Sequence, residues 1–213
     1  AMVSFAYGIW TALNNRDTSS KTVDFTFRGS EKEIVSVLTS DKLEPYVKKF
    51  YAMKLGHFRP SDTEDSENEA SGTFSWSGLL ESVSSEVNSQ EKESLLTNLS
   101  AQDRPYLISL SSYNKLLKSI NQSPIILEND EVALYSDEEW SHSHDLLRRV
   151  LQSNPIVSIG EKQYKLTPKL YTSNVVADRA ITLSYALIVP DDIYDKFTVS
   201  SQDSYLWNLV LNF

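Results

Sequence analysis

The densest run of groups able to do chemistry is Asp137-Glu-Glu-Trp-Ser-His-Ser-His-Asp145, where His142 and His144 stand among carboxylates. Imidazole and carboxylate are donors for zinc and other divalent ions. Two histidines two residues apart converge only on an extended or looped backbone, whereas zinc sites on one helix use i, i+4 spacing. The other reading is a solvated loop entering a helix N-terminus, where Asp145 meets the positive end of the dipole. No metal site or other cofactor is expected; His142 and His144 are the candidates should a metal site exist.

Other catalytic patterns are missing. His57 is the one further histidine, and the 6 glycines never cluster into a phosphate-cradling loop. No Gly-x-Ser-x-Gly elbow occurs. With no cysteine, disulfides, thiolate metal sites and cysteine nucleophiles are excluded. Carboxylate neighbours such as Asp191-Asp192 and Glu138-Glu139 are abundant, but adjacency does not make an acid–base couple. No catalytic residue is assigned, and the chain is not expected to be an enzyme.

A second cluster offers charge alone. Between Ser61 and Ser71 stand Asp62, Glu64, Asp65, Glu67 and Glu69, with no base and no large apolar residue. Such a tract cannot bury enough surface to offset the entropy of ordering it, so it reads as a mobile acidic hairpin loop. Its charge either keeps it solvated or draws cationic ligands at long range and low salt. Those five carboxylates, with Trp76 and Trp140 as exposed aromatics, are the candidate contacts for a cationic peptide. Each tryptophan has burial as its alternative, since large rings dominate core energetics.

The whole chain must supply a frame for these groups. It has 213 residues, a net charge of −9 and 40% hydrophobic residues, enough for a packed core in one large or two small domains. A net negative chain is repelled by phosphate unless its bases cluster, so no nucleic-acid partner is expected. No apolar run reaches the roughly 18 residues of a membrane-spanning helix.

Residue pattern predicts an α+β fold with a mixed or antiparallel sheet and short packed helices. Val23, Phe25 and Phe27 alternate with polar residues as in a half-buried strand, and Ser30 with Glu33 forms a capping-box pair ahead of a short helix to about Ser40. A long strand is expected over 46–59, with 73–80 as its hairpin partner, and a helix over 84–99. Strands follow at 104–110, 124–127 and 131–135. A helix over 113–120, capped by Ser111 or Ser112, separates the first two. Further on come a helix over 143–152, strands at 156–159, 163–171, 181–189 and 204–212, and a short helix opened by Pro190-Asp-Asp192. No internal repeat is evident.

Both ends are apolar, from Val3 to Trp10 and from Tyr205 to Phe213. Each reads either as a core element or as a segment beside a flanking membrane helix. On the second reading, 1–20 is a membrane-proximal N-terminal segment and 205–213 a membrane-proximal C-terminal one. The domain is then 21–204, with a division into two lobes left open near 100–105.

Pro105 to Tyr135 resembles bacterial ABC-transporter permeases of the FtsX/MacB-like class. In both, a strand leads to S-x-x-x-Y-N-x-L on a helix, here Ser109 to Leu116, and then past a proline to L-x-x-x-E-V-x-L, here Leu127 to Leu134. Val23 to Arg28 is similar to the first strand of the large extracellular domain in the bacitracin-efflux and lantibiotic-resistance branch of Firmicutes. The resemblance covers about 30 residues specifically; elsewhere it extends only to length and order of elements. It implies an extracellular domain at the cell membrane, tethered by flanking helices, that recognises an antimicrobial peptide or its complex with a lipid precursor. An ATPase subunit and a membrane histidine kinase would be partners through the parent permease. A module of an FtsX-like permease that controls a cell-wall hydrolase is the alternative.

Overall fold

A computed structural model describes residues 25–30, 35–36, 38–40, 44–58, 73–85, 90–100, 105–119, 121–136, 144–172, 185–198 and 205–211. Their strands are β1 (Phe25–Gly29), β2 (Val47–His57), β3 (Phe74–Ser75), β4 (Tyr106–Ser109), β5 (Glu131–Tyr135), β6 (Ile156–Ile159), β7 (Lys162–Leu166), β8 (Ala186–Val189) and β9 (Tyr205–Leu211). They form one sheet in the order β1-β9-β2-β4-β8-β5-β7-β6-β3. The pairs β4/β8 and β5/β7 are parallel and the others antiparallel, so the fold is α+β with a mixed sheet.

The helices are α1 (Ser77–Ser85), α2 (Gln90–Ser100), α3 (Leu110–Ser119), α4 (His144–Leu151) and α5 (Asp191–Phe197). Residues 35, 36 and 38 are also helical, and Glu44–Tyr46 is a 3-10 turn leading into β2. Among the described residues no helix is long and apolar enough to cross a membrane.

Strands β4, β8 and β5 lie at the centre, buried on both faces. Leu107, Leu187, Val189, Val132 and Leu134 face one core with α1, α2, α4 and α5. Ile108, Ala186, Ile188, Ala133 and Tyr135 face the other, covered by Tyr113, Leu116 and Leu117 of α3 and by Ile125. This explains why Ala186-Leu-Ile-Val189 is an unbroken apolar run, since a strand covered on both sides has no solvent face to alternate with.

Asparagine ends two of the helices. Asn121 adopts φ 58° after α3, where its N–H reaches the Lys118 carbonyl and that of Gln122 reaches the Leu117 carbonyl. This is the Schellman stop, which needs a residue tolerant of the left-handed region. Asn154 at φ 49° stops α4 ahead of Pro155. Gly160, at φ 64° between β6 and β7, needs both its conformational freedom and its missing side chain, because a Cβ there would lie 2.7 Å from Phe197 Cζ.

Several expectations change. Residues 73–80 are not the hairpin partner of β2: β3 pairs with β6 at one edge of the sheet, and β2 lies between β9 and β4. Leu79 and Val83, both buried, recur at helical spacing, which overrides the short alternation of Phe74 to Trp76. The helix expected over 84–99 is α2, with α1 as a separate helix before it. Residues 124–127 belong to no strand, and the Asn114 side chain takes both backbone groups of Ile125, at 2.7 and 2.9 Å. The strand expected over 163–171 stops at Leu166, just before Thr167-Pro168, and only Tyr171 returns to bridge Tyr135. Strands from before and after positions 100–105 join one sheet, with earlier strands at both of its edges. Tyr205–Leu211 is a strand paired on both sides. Glu33 of the capping box and the acidic hairpin loop lie outside the described residues.

Helix α1 crosses β6 closely enough that a Cβ on Gly78 would lie 2.5 Å from the Ile156 carbonyl oxygen. Backbone cannot yield as a side-chain tip can. Gly78→Ala is therefore expected to destabilise by about 1–3 kcal/mol, despite alanine's advantage of about 1 kcal/mol in a helix. Urea unfolding of the variant checks this, and an unchanged midpoint would contradict the close crossing.

Candidate functional site

The parallel pair β4/β8 sets two strand-to-helix turns side by side. Ser109 is in register with Val189, and α3 and α5 begin within two residues of them. Ser109 Oγ donates to Asp191 Oδ1 at 2.6 Å and accepts the Ser112 N–H at 3.3 Å, which makes it the N-cap of α3. The expected caps, Ser111 and Ser112, lie inside the helix. Ser111 N–H donates to Asp191 Oδ1 at 3.2 Å, and Ser112 Oγ accepts the Lys54 N–H of β2 at 2.7 Å.

Burial works against the Asp191 charge, but hydrogen bonds from Ser109 and Ser111, with the Lys54 charge, outweigh it. Its carboxyl is held below its ordinary value. One carboxylate thus ties α5 to the start of α3, and Ser112 ties α3 to β2. This is a latch.

His144 fills a different place. It is buried at the first position of α4, with Nε2 3.1 Å from Ser136 Oγ. Ser136 directly follows β5, so this contact joins the two ends of the segment 137–143, which contains Asp137, Glu138 and Glu139. Ring packing does the same for the acidic tract. Phe58, just after β2, and Phe74, in β3, have centroids 5.6 Å apart, so the segment 59–72 leaves and re-enters at one spot.

The two spots lie at the same end of the sheet. His57, Tyr106, Ala186 and Tyr135 form one continuous rung through β2, β4, β8 and β5, and Phe58 and Ser136 each stand one residue beyond it. The segments 59–72 and 137–143, with five and three carboxylates in sequence, are therefore both flanked by residues of this rim. The main chain enters and leaves at the opposite end: Phe25 opens β1 opposite Leu209, and Leu211 closes β9 opposite Val47. β2 spans that separation with 11 residues, about 36 Å at about 3.3 Å per residue.

Of the sequence-predicted contacts, Asp62, Glu64, Asp65, Glu67, Glu69, Trp140 and His142 lie outside the described residues. Trp76 is 4% exposed, packed edge-on to Phe74 in the core, so it is not a surface aromatic. Among the described residues no group of three histidine or carboxylate side chains could hold a metal. The latch was overlooked in sequence, although a signal exists: Leu-Ile runs into a polar turn and then a tyrosine twice, at Leu107 to Tyr113 and Leu187 to Tyr194.

No family model, curated protein or solved structure matches this chain.

Ser109→Ala removes a cap and a charge-assisted hydrogen bond together, and a loss of about 2 kcal/mol is expected. The Asp191 contribution has a definite pH sign. A depressed carboxyl stabilises the fold above the unfolded value, about 3.9, and the contribution is lost as pH falls through the folded value. The stability gap between the protein and Asp191→Asn should be widest near neutrality and close in acid. Denaturant titrations across pH check this, and a gap that widens in acid would contradict the latch.

Proposed function

We propose that this chain is the extracellular ligand-binding and sensing domain of an FtsX/MacB-like ABC-transporter permease of the antimicrobial-peptide-resistance branch. Its ligand is a cationic cell-wall-targeting peptide of the bacitracin or nisin-like lantibiotic kind, or that peptide's complex with a lipid precursor. ATP hydrolysis belongs to a separate ATPase subunit, and a membrane histidine kinase receives the signal through the parent permease.

The observation that carries this reading is the polarity of the sheet. Entry and exit strands emerge together at one end, as a domain inserted between two membrane helices requires. The residues that flank both acid-rich segments, Phe58 and Ser136, stand at the other end. Acid-rich sequence raises the local concentration of cations and speeds their encounter.

Calorimetric titration of the 213-residue chain with a nisin-like lantibiotic tests the reading. Binding in the micromolar range or tighter is expected. Neutralising Asp62, Glu64, Asp65, Glu67 and Glu69 together to their amides should weaken it at least about tenfold at low salt. Neutralising Glu81, Glu93, Glu161, Asp192 and Asp195 instead should change it little. Absence of peptide binding, with capture of a cell-wall hydrolase in its place, would favour the hydrolase-controlling module.

A further inference from the structure

The end at which the chain enters and leaves the sheet has a chemistry of its own. Tyr46, which ends the 3-10 turn, is 57% exposed, and Phe50, near the start of β2, is 41% exposed. Between them stand Lys48 and Lys49, both exposed. Helix α3 finishes against this place, since Lys49 Nζ donates to the Ser119 carbonyl at 3.0 Å. Lys115 and Lys118, one turn apart, are on the exposed side of α3. In a chain of net charge −9, the segments 46–58 and 110–127 contain no carboxylate, and Glu44 is the acidic residue of the adjoining 3-10 turn.

The backbone is adapted here as well. The β2/β9 register shifts between Val47 and Lys49, which makes Lys48 the extra residue of a bulge. A bulge breaks the strict alternation of a strand and re-aims the side chain it carries.

We propose that this pole is a docking surface for an anionic lipid bilayer. Lys48, Lys49, Lys115 and Lys118 would meet lipid phosphates while Tyr46 and Phe50 sit at headgroup level, where amphipathic rings are favoured. The inference rests on the reading of the domain as one tethered at this pole, and it adds a direct contact that fixes the domain's orientation on the membrane. The residues that flank the acid-rich segments stand at the far rim. That rim stands about 36 Å away along β2, several times the Debye length of about 8 Å at physiological ionic strength.

Co-sedimentation of the full chain with vesicles tests it. Phosphatidylcholine vesicles containing phosphatidylglycerol should retain the protein, pure phosphatidylcholine vesicles should not, and raising salt to about 1 M should release it. Lys48→Glu with Lys49→Glu should weaken retention at least about tenfold, as should Lys115→Glu with Lys118→Glu. Lys162→Glu with Lys196→Glu, the same change of net charge elsewhere, should leave retention within about twofold. Phe50→Ser with Tyr46→Ser should also weaken it, and circular dichroism melts confirm that each variant folds. No retention on anionic vesicles, or equal loss in the control pair, overturns the proposal. Peptide binding without vesicle retention would sink this inference alone, and retention without peptide binding would sink the ligand reading alone.

Discussion

Burial of β4, β8 and β5 on both faces is the constraint around which the rest of the molecule is arranged. A strand with no solvent face must have covering layers on each side, and here α3 supplies one while α1, α2, α4 and α5 supply the other. The parallel β4/β8 pair then forces two helices to start side by side, and two N-termini in proximity favour a carboxylate between them. Asp191 meets that demand for α3, bonded to Ser109 and Ser111. Core packing, helix placement and the latch are consequences of one pairing.

The same pairing decides where charge can go. The central strands carry no carboxylate and no basic side chain apart from Glu131 at the margin of β5. The rung through His57, Tyr106, Ala186 and Tyr135 brings the roots of both acid-rich segments to one rim. The opposite end gathers exposed lysines of β2 and α3 beside the points of entry and exit. The flanks of two segments separated by about 65 residues in sequence thereby meet at one rim, which neither specifies locally.

Much of the fold was legible because its signals are local. The amphipathic Leu146, Leu147, Val150 and Leu151 specify α4, and unbroken apolar runs specify β5 and β8. The misread elements depend on distant partners. Residues 124–127 have strand composition, yet a side-chain amide from α3 occupies the place of a neighbouring strand. Phe74 to Trp76 alternates like a strand, but Trp76 is claimed by the core and the chain turns at once into α1. Clusters of charge were visible as composition, whereas their arrangement at opposite ends needed the sheet register. His144 shows the reverse, since a residue that reads as a metal donor is a buried partner of Ser136.

The most direct test of this two-ended arrangement is hydrogen–deuterium exchange of the full chain with and without a saturating nisin-like lantibiotic. Slower exchange is expected in peptides containing His57–Phe58, Phe74–Ser75 and Tyr135–Ser136, with Tyr46–Phe50 and Lys115–Ser119 unchanged. Protection confined to Tyr46–Phe50 and Lys115–Ser119, with the far rim unaffected, would contradict the assignment of ligand binding to the acid-rich end.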